Sequence, residues 1–221
     1  MTIETLIPLM AAVDLMAAIV FAVTGALVAS RKQMDIIGFM WLGTVTGVGG
    51  GTVRDLLLGV PVFWVEDPSL VVACLIAAVA VHFTSHLVQS RYTLILWLDA
   101  AGMALVTVAG TAKGLDNDTG PLVAMVMGVI TAAVGGIIRD ILGQEPSIIL
   151  RREIYVTASL AGAGAYAVAD NVGAGRLTAA LCGLAVAFVA RGLAIRFGWS
   201  MPVFRARPGR TPEEIERDSN Q

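Results

Sequence analysis

Long apolar segments separated by short polar connections run along almost the whole chain. A run of about 20 apolar residues is long enough for a helix to cross a hydrocarbon core about 30 Å thick. Helices satisfy their own backbone hydrogen bonds in lipid, and the two-residue alternation expected of barrel strands is absent. The pattern therefore predicts an all-α membrane protein with seven transmembrane helices, at residues 7–29, 36–58, 69–88, 92–112, 121–142, 154–169 and 177–197.

Composition supports this prediction and excludes several functional classes. Of the 221 residues, 57% are hydrophobic and 14% are charged, where a soluble domain has about 25% charged residues. A formal net charge of −2 gives no sign of a nucleic-acid partner. Cys74 and Cys182 both lie inside apolar spans, which argues against a disulfide framework or a zinc cluster. No combination of nucleophile, base and orienting residue is visible, so we expect neither an enzyme nor a cofactor.

The distribution of lysine and arginine predicts the orientation in the membrane. Most basic residues of the connections fall on one side, together with the polar tail at 201–221, and that side is predicted to be cytoplasmic. The N-terminus is then outside and the C-terminus inside. Residues 1–200 form the predicted transmembrane domain.

An internal repeat with a constant offset of 85 residues runs through the first six spans. It aligns "TGVGGGTVRDLLLG" with "TAAVGGIIRDILG", and it also pairs Asp14 with Asp99 and Pro61 with Pro146. Because each copy contains three spans, the second copy is predicted to face the opposite way across the membrane. We therefore predict an inverted repeat of about 7–88 and 92–170, followed by a seventh helix at about 177–197. Inverted repeats place functional sites near the midplane, at helices interrupted by glycine or proline.

The glycine–arginine–aspartate motifs are the candidate functional site. The glycines are predicted to kink or break the second and fifth spans, and each aspartate of the preceding span lies at about the depth of the arginine that follows it. The sequence therefore predicts two Asp/Arg clusters along an ion pathway, because ionisable residues inside a membrane are costly and usually functional. The candidate residues are Asp14, Gly49, Gly50, Gly51, Arg54, Asp55, Asp99, Gly135, Gly136, Arg139 and Asp140.

Each feature also has a purely structural interpretation. The arginines and aspartates are also compatible with structural ion pairs, or with arginines that reach for the interface. The glycines have the small-residue spacing that lets two helices approach closely. His82 and His86 have a spacing that can bind zinc, but no further ligand lies near them in sequence, so no metal site is predicted.

Two longer segments carry a family resemblance. The stretches "GGGTVRDLLLGVPVFWVEDPSL" and "GGIIRDILGQEPSIILRREIY", in two copies of three spans followed by a seventh, resemble the bacterial branch of the trimeric intracellular cation (TRIC) channels. The resemblance covers about residues 8–197. The same motifs mark a membrane family for some members of which glycine transport was proposed.

The resemblance implies a homotrimer with one pore in each protomer, passing monovalent cations. Potassium is the expected ion, with sodium as a further candidate, and membrane lipids are the other expected partners. In that family the glycine motifs kink or break their helices around the pore, and the neighbouring charged residues act in permeation and gating. Val134 stands where a third glycine of the second motif would be, so a milder break is expected there.

A secondary transporter of glycine or another small zwitterion is the rival interpretation. Inverted repeats with broken helices are common in carriers, and the exposed ends of half-helices would hold a substrate carboxylate. In such a carrier, Asp14 or Asp99 would take the amine or a coupling proton. A purely structural membrane scaffold is the third interpretation, and it gives no use for the duplicated charges.

Overall fold

The computed structural model describes residues 3–88, 90–146, 154–202, 209 and 217, with the side chains of residues 3–11 outside the description. Within these residues the chain forms eight α-helices, and a short 3₁₀ turn, Ser85–Leu87, follows the fourth. The predicted tail at 201–221 falls almost entirely outside the described residues. The helices are α1 Ile3–Arg31, α2 Ile36–Leu58, α3 Phe63–Glu66, α4 Ser69–Thr84, α5 Arg91–Asp116, α6 Pro121–Leu142, α7 Val156–Asn171 and α8 Arg176–Phe197.

The helix ends follow local sequence signals. Asp35 caps α2 by accepting a hydrogen bond from the Gly38 amide at 2.8 Å. Gly59 ends the same helix in the left-handed conformation, with φ of 66°. Pro121 begins α6, where the missing amide hydrogen costs nothing. The predicted bounds of the second and fifth spans therefore coincide with those of α2 and α6.

Six helical segments of the described chain are long and apolar enough to cross a membrane. They lie in α1, α2, α5, α6 and α8, and in α4 together with the 3₁₀ turn that continues it to Leu87, 19 residues in all, whereas α7 has only 16 residues. A 16-residue α-helix is about 24 Å long, shorter than a hydrocarbon core of about 30 Å. An all-helical fold with six candidate membrane spans is thus observed in the described residues, while a count of seven spanning helices stays a prediction.

The helices pack as two three-helix units with one addition. The first unit contains α1, α2 and α4, and the second contains α5, α6 and α7. The two units meet where α2 packs on α6 and α1 packs on α5, and α8 covers α5 and α7 from outside the repeat. The interior is rich in small residues such as Ala22, Ala78 and Ala132, none of which is exposed, and this allows the backbones to approach closely.

Contacts between α2 and α6 show that the repeat is inverted. A methyl group placed on Gly50 would lie 2.1 Å from the Thr131 carbonyl oxygen, and one on Gly135 would lie 2.8 Å from the Thr46 carbonyl oxygen. Gly50 and Gly135 are 85 residues apart, as are Thr46 and Thr131. The same contact is therefore made twice, by two helices that run in opposite directions through it.

The predicted break in these two helices is not observed in the conformation described, and a kink within either helix stays a prediction. Both α2 and α6 are continuous through their glycine motifs. Glycine lowers helix propensity by roughly 1 kcal/mol relative to alanine, but it still donates its backbone hydrogen bond. Here tertiary packing outweighs the low helix propensity of glycine. Because glycine has no side chain, α2 and α6 can cross in close contact, and this contact stabilises both helices.

Candidate functional site

One charged cluster lies around the C-terminal half of α2. Arg54 and Asp55 are 1% and 0% exposed. The Arg54 Nε donates to Asp55 Oδ1 at 2.7 Å, and Lys113 Nζ reaches the same oxygen at 2.8 Å. Asp14 stands further away, with its Oδ1 3.8 Å from Arg54 Nη1. We call Asp14, Arg54, Asp55 and Lys113 the Arg54 cluster; its two cations formally balance its two anions.

Helix α3 completes the Arg54 cluster from the side. The Phe63 amide donates to Asp55 Oδ2 at 2.9 Å, and the Phe63 ring lies 5.6 Å from the Arg54 guanidinium carbon. Trp64 Nε1 donates to Thr52 Oγ1 at 2.8 Å and so fixes α3 against α2. A methyl group on Gly51 would lie 2.6 Å from the Phe63 ring, so this glycine makes room for it.

The second charged cluster lies around the C-terminal half of α6. Arg139 Nη1 donates to Asp99 Oδ1 at 2.6 Å and to Thr24 Oγ1 at 3.1 Å. Its Nε and Nη2 donate to Asp140 Oδ1 at 3.0 and 2.9 Å. All three charged residues are at most 3% exposed. We call Asp99, Arg139, Asp140 and Thr24 the Arg139 cluster.

The two clusters lie at opposite ends of the bundle and differ in detail. The predicted pairing of each arginine with the aspartate of the preceding span is confirmed, at 3.8 Å for Asp14 and 2.6 Å for Asp99. Lys113 and Thr24 have no counterparts of their own kind, because the repeat pairs Lys113 with Val28 and Thr24 with Ala109. The residues that contact Arg54 and Arg139 are therefore related by the repeat but not identical.

The glycines of the motifs face different neighbours. A methyl group on Gly49 would lie 3.0 Å from the Ile138 side chain, whereas Gly50 faces the α6 backbone and Gly51 faces Phe63. In the second motif, Gly135 faces the α2 backbone. Gly136 has more space, since a methyl group there would lie 3.7 Å from Arg139 Nη2 and 3.8 Å from Asp99 Oδ1. Gly136 is thus the glycine that faces a charged cluster directly.

A cavity adjoins each cluster. The cavity on the Arg54 side has a volume of about 340 Å³ and is lined by Asp14, Leu15, Phe63, Glu66 and Asp67 among others. The cavity on the Arg139 side has a volume of about 20 Å³, and its lining comes from α1, α5, α6 and the residues after α6. That lining is Val28, Arg31, Tyr92, Ile95, Leu96, Asp99, Arg139, Asp140 and Glu145. The two cavities share no lining residue.

Polar contacts also close the end of the bundle beyond the Arg139 cluster. Arg31 Nη1 lies 3.0 Å from Glu145 Oε1, and its guanidinium carbon lies 5.4 Å from the centre of the Tyr92 ring. Lys32 Nζ donates to the Gln144 carbonyl at 3.4 Å. The ends of α1 and α6 are thereby held together over the small cavity.

The sequence predicts most of the charged residues of the two clusters but not all of them. Asp14, Arg54, Asp55, Asp99, Arg139 and Asp140 come together as two clusters, as the repeat predicts. The repeat does not predict Lys113 or Thr24 as members, nor the burial of Arg191, an arginine of α8. The signal for Arg191 was available, since it is an ionisable residue inside an apolar span.

Comparisons with known proteins show which family this chain resembles. The family model described as "Glycine transporter" matches residues 11–86 and 96–171, two segments offset by 85 residues at both ends. The inner membrane protein YadS of Escherichia coli (strain K12), a UPF0126 protein, is 41% identical over 197 residues, covering 86% of this chain and 94% of that protein. A UPF0126 membrane protein of Vibrio cholerae is 39% identical over 197 residues, covering 87% of this chain and 81% of that protein.

Solved structures agree with the sequence comparisons. The TRIC trimeric intracellular cation channel orthologue from Rhodobacter sphaeroides is 53% identical with a TM-score of 0.84, covering 86% of this chain and 99% of that chain. A second TRIC cation channel is 27% identical with a TM-score of 0.80, covering 89% of this chain and 98% of that chain. The resemblance inferred from the glycine–arginine–aspartate motifs is confirmed, and the chain belongs to the UPF0126 family of membrane proteins, the family with the "Glycine transporter" model and TRIC-type structural relatives.

Proposed function

We propose that this chain is a passive channel for monovalent cations, potassium in particular, in the inner membrane of a bacterium. The observation that supports this proposal best is the pair of buried Arg–Asp clusters, each beside a cavity at opposite ends of one bundle. The 53% identical relative is a trimeric cation channel, and the relative in E. coli is an inner membrane protein. By that similarity we propose a homotrimer with one pore in each protomer.

The arginines are the proposed gate. A fixed positive charge opposes cation passage unless carboxylates neutralise it, and Asp55 and Asp140 lie within hydrogen-bonding distance of their neighbouring arginines. In this proposal a paired arginine leaves the path open to cations, and an unpaired one repels them or plugs the path. One charge that crosses the whole membrane field couples at about 2.3 kcal/mol per 100 mV, so such a gate responds to voltage.

Electrical recording from the purified protein in a planar bilayer with a potassium chloride gradient tests the proposal. We expect discrete, cation-selective openings, and we expect Arg54→Ala and Arg139→Ala each to change open probability or unitary conductance. Arg176→Ala is the matched control, because Arg176 pairs with Asp116 at an exposed site outside both clusters. Unchanged channels from both cluster variants would refute the gate, and a chain that shows no unitary steps would refute the channel.

A carrier for glycine or another small zwitterion is the second candidate, favoured by the description of the family model. Its proposed substrate site needs amide groups exposed by broken helices, whereas α2 and α6 are continuous through their glycines. Uptake of labelled glycine into liposomes of the same preparation separates the candidates. Saturable uptake without unitary currents would make the chain a carrier.

A further inference from the structure

A buried arginine lies on α8, the helix outside the repeat. Arg191 is 1% exposed, its guanidinium carbon lies 5.4 Å from the centre of the Tyr155 ring, and its Nη1 donates to the Ile154 carbonyl at 3.4 Å. Burying an arginine at membrane depth is costly. Cation–π contact and hydrogen bonding offset that cost, and they hold Tyr155 in one place.

Tyr155 connects this arginine to the glycine motif of α6. Its hydroxyl donates to the Ala132 carbonyl at 2.9 Å, and Tyr155 is 1% exposed. Ala132 lies four residues before Gly136, so its carbonyl is also the acceptor for the Gly136 amide in a regular α-helix. Gly136 in turn faces Asp99 and Arg139. The Ala132 carbonyl therefore has two donors, the Gly136 amide and the Tyr155 hydroxyl. If α6 opened at Gly136, the hydroxyl would remain as its hydrogen-bond partner.

The first repeat lacks this arrangement. The 85-residue offset pairs Tyr155 with Leu70, which has no hydroxyl, and α8 has no counterpart in the first unit. The same offset pairs Ala132 with Gly47 of α2, so Leu70 cannot donate to the Gly47 carbonyl as Tyr155 donates to the Ala132 carbonyl. The two glycine motifs therefore differ in what supports them, although their sequences are alike.

We propose that Tyr155 and Arg191 are positioning residues that allow α6 to open at Gly135–Gly136. When the Gly136 amide leaves the Ala132 carbonyl, the Tyr155 hydroxyl keeps that buried carbonyl hydrogen-bonded, and Arg191 keeps the ring in position. A buried carbonyl without a partner is costly, and water is scarce at this depth. The consequence is that α6, and not α2, bends during gating. The inference rests on the proposed channel function for its electrical consequences alone.

Tyr155→Phe removes only the hydroxyl and is the main test. We expect its open probability in planar bilayers to fall roughly tenfold, which corresponds to about 1.4 kcal/mol, while unitary conductance stays unchanged. Tyr166→Phe is the matched control, since Tyr166 is also a buried tyrosine, lies about three turns further along α7, and packs with Val108 and Ala179. Arg191→Lys keeps a cation over the ring and should stay closer to wild type than Arg191→Met.

Hydrogen–deuterium exchange of α6 in lipid nanodiscs supplies a readout that needs no conduction. We expect exchange over residues 133–140 to be slower in Tyr155→Phe than in wild type, and unchanged in Tyr166→Phe. Unchanged exchange in a folded Tyr155→Phe variant would overturn the proposal. Faster exchange would overturn it too, because the hydroxyl would then only fasten the closed helix. If wild type shows no currents, the proposed channel fails, and exchange alone decides this inference.

Discussion

Asp14 and Asp99 occupy equivalent positions in the repeat, but their arginines hold them differently. Asp99 lies 2.6 Å from Arg139 and its side chain is 2% exposed, whereas Asp14 lies 3.8 Å from Arg54 and its side chain is 29% exposed. A buried pair that loses one partner leaves a charge without compensation, while a longer pair with a partly exposed carboxylate is weaker and partly screened by water. The Asp99–Arg139 pair is therefore expected to contribute more to the free energy of unfolding than the Asp14–Arg54 pair.

Asparagine at each position should reveal this inequality. We expect Asp99→Asn to lower the free energy of unfolding by about 3 kcal/mol, the lower end for breaking a buried pair because Arg139 keeps Asp140. Asp14→Asn should cost at most about 1 kcal/mol. Unfolding of both variants in the same detergent measures the difference, and equal losses would contradict this account of the two pairs.

At the scale of the element, the crossing of α2 and α6 is the contact that joins the two units. Gly50 and Gly135 allow each helix to rest against a backbone carbonyl of the other, so the distance between the helices is set by glycine. Gly136 lies one residue further along α6, facing Arg139 and Asp99 across ordinary van der Waals distances. Adjacent glycines in one motif thus have different structural roles.

Alanine at Gly50 and at Gly136 distinguishes these roles. A methyl group on Gly50 would lie 2.1 Å from the Thr131 carbonyl oxygen, and the helices would have to separate. We expect Gly50→Ala to lose about 3 kcal/mol or more of stability, the upper end for overpacking. Gly136→Ala should be neutral, or stabilising by up to about 1 kcal/mol through helix propensity. Thermal unfolding in detergent tests both variants, and equal behaviour would mean that the crossing is not packed as described.

At the scale of the whole molecule, the two ends of the bundle are open to different degrees. The cavity beside the Arg54 cluster has about 340 Å³ and the cavity beside the Arg139 cluster about 20 Å³. The looser Asp14–Arg54 pair lies at the wider end and the tighter Asp99–Arg139 pair at the narrower end.

Cysteine accessibility measures this asymmetry. In a variant without Cys74 and Cys182, we expect Leu15→Cys to react much faster than Leu96→Cys with a charged thiol reagent, because each leucine is half-buried and lines one of the two cavities. Purified protein in detergent makes both ends available to the reagent. Equal reaction rates would show that the wide cavity is not the more accessible one.

The sequence by itself determined the helical framework and the pairing of its charges. Apolar runs and helix caps are local signals, so the bounds of α2 and α6 followed directly from them. The depth of each charge along its span placed Asp14 beside Arg54, and the offset of 85 residues placed Asp99 beside Arg139 in the same way. The motifs around Arg54 and Arg139 also identified the family.

Only the tertiary structure decided how the two halves differ and whether the helices continue through their glycines. Lys113 reaches Asp55 across the boundary between the units, and Thr24 reaches Arg139 in the same way. Such contacts depend on how helices rotate and tilt against each other, which hydrophobic periodicity does not specify. The glycines of α2 and α6 weaken a helix in isolation, yet the crossing holds both helices continuous, because close packing against a neighbour outweighs a local propensity of about 1 kcal/mol per residue.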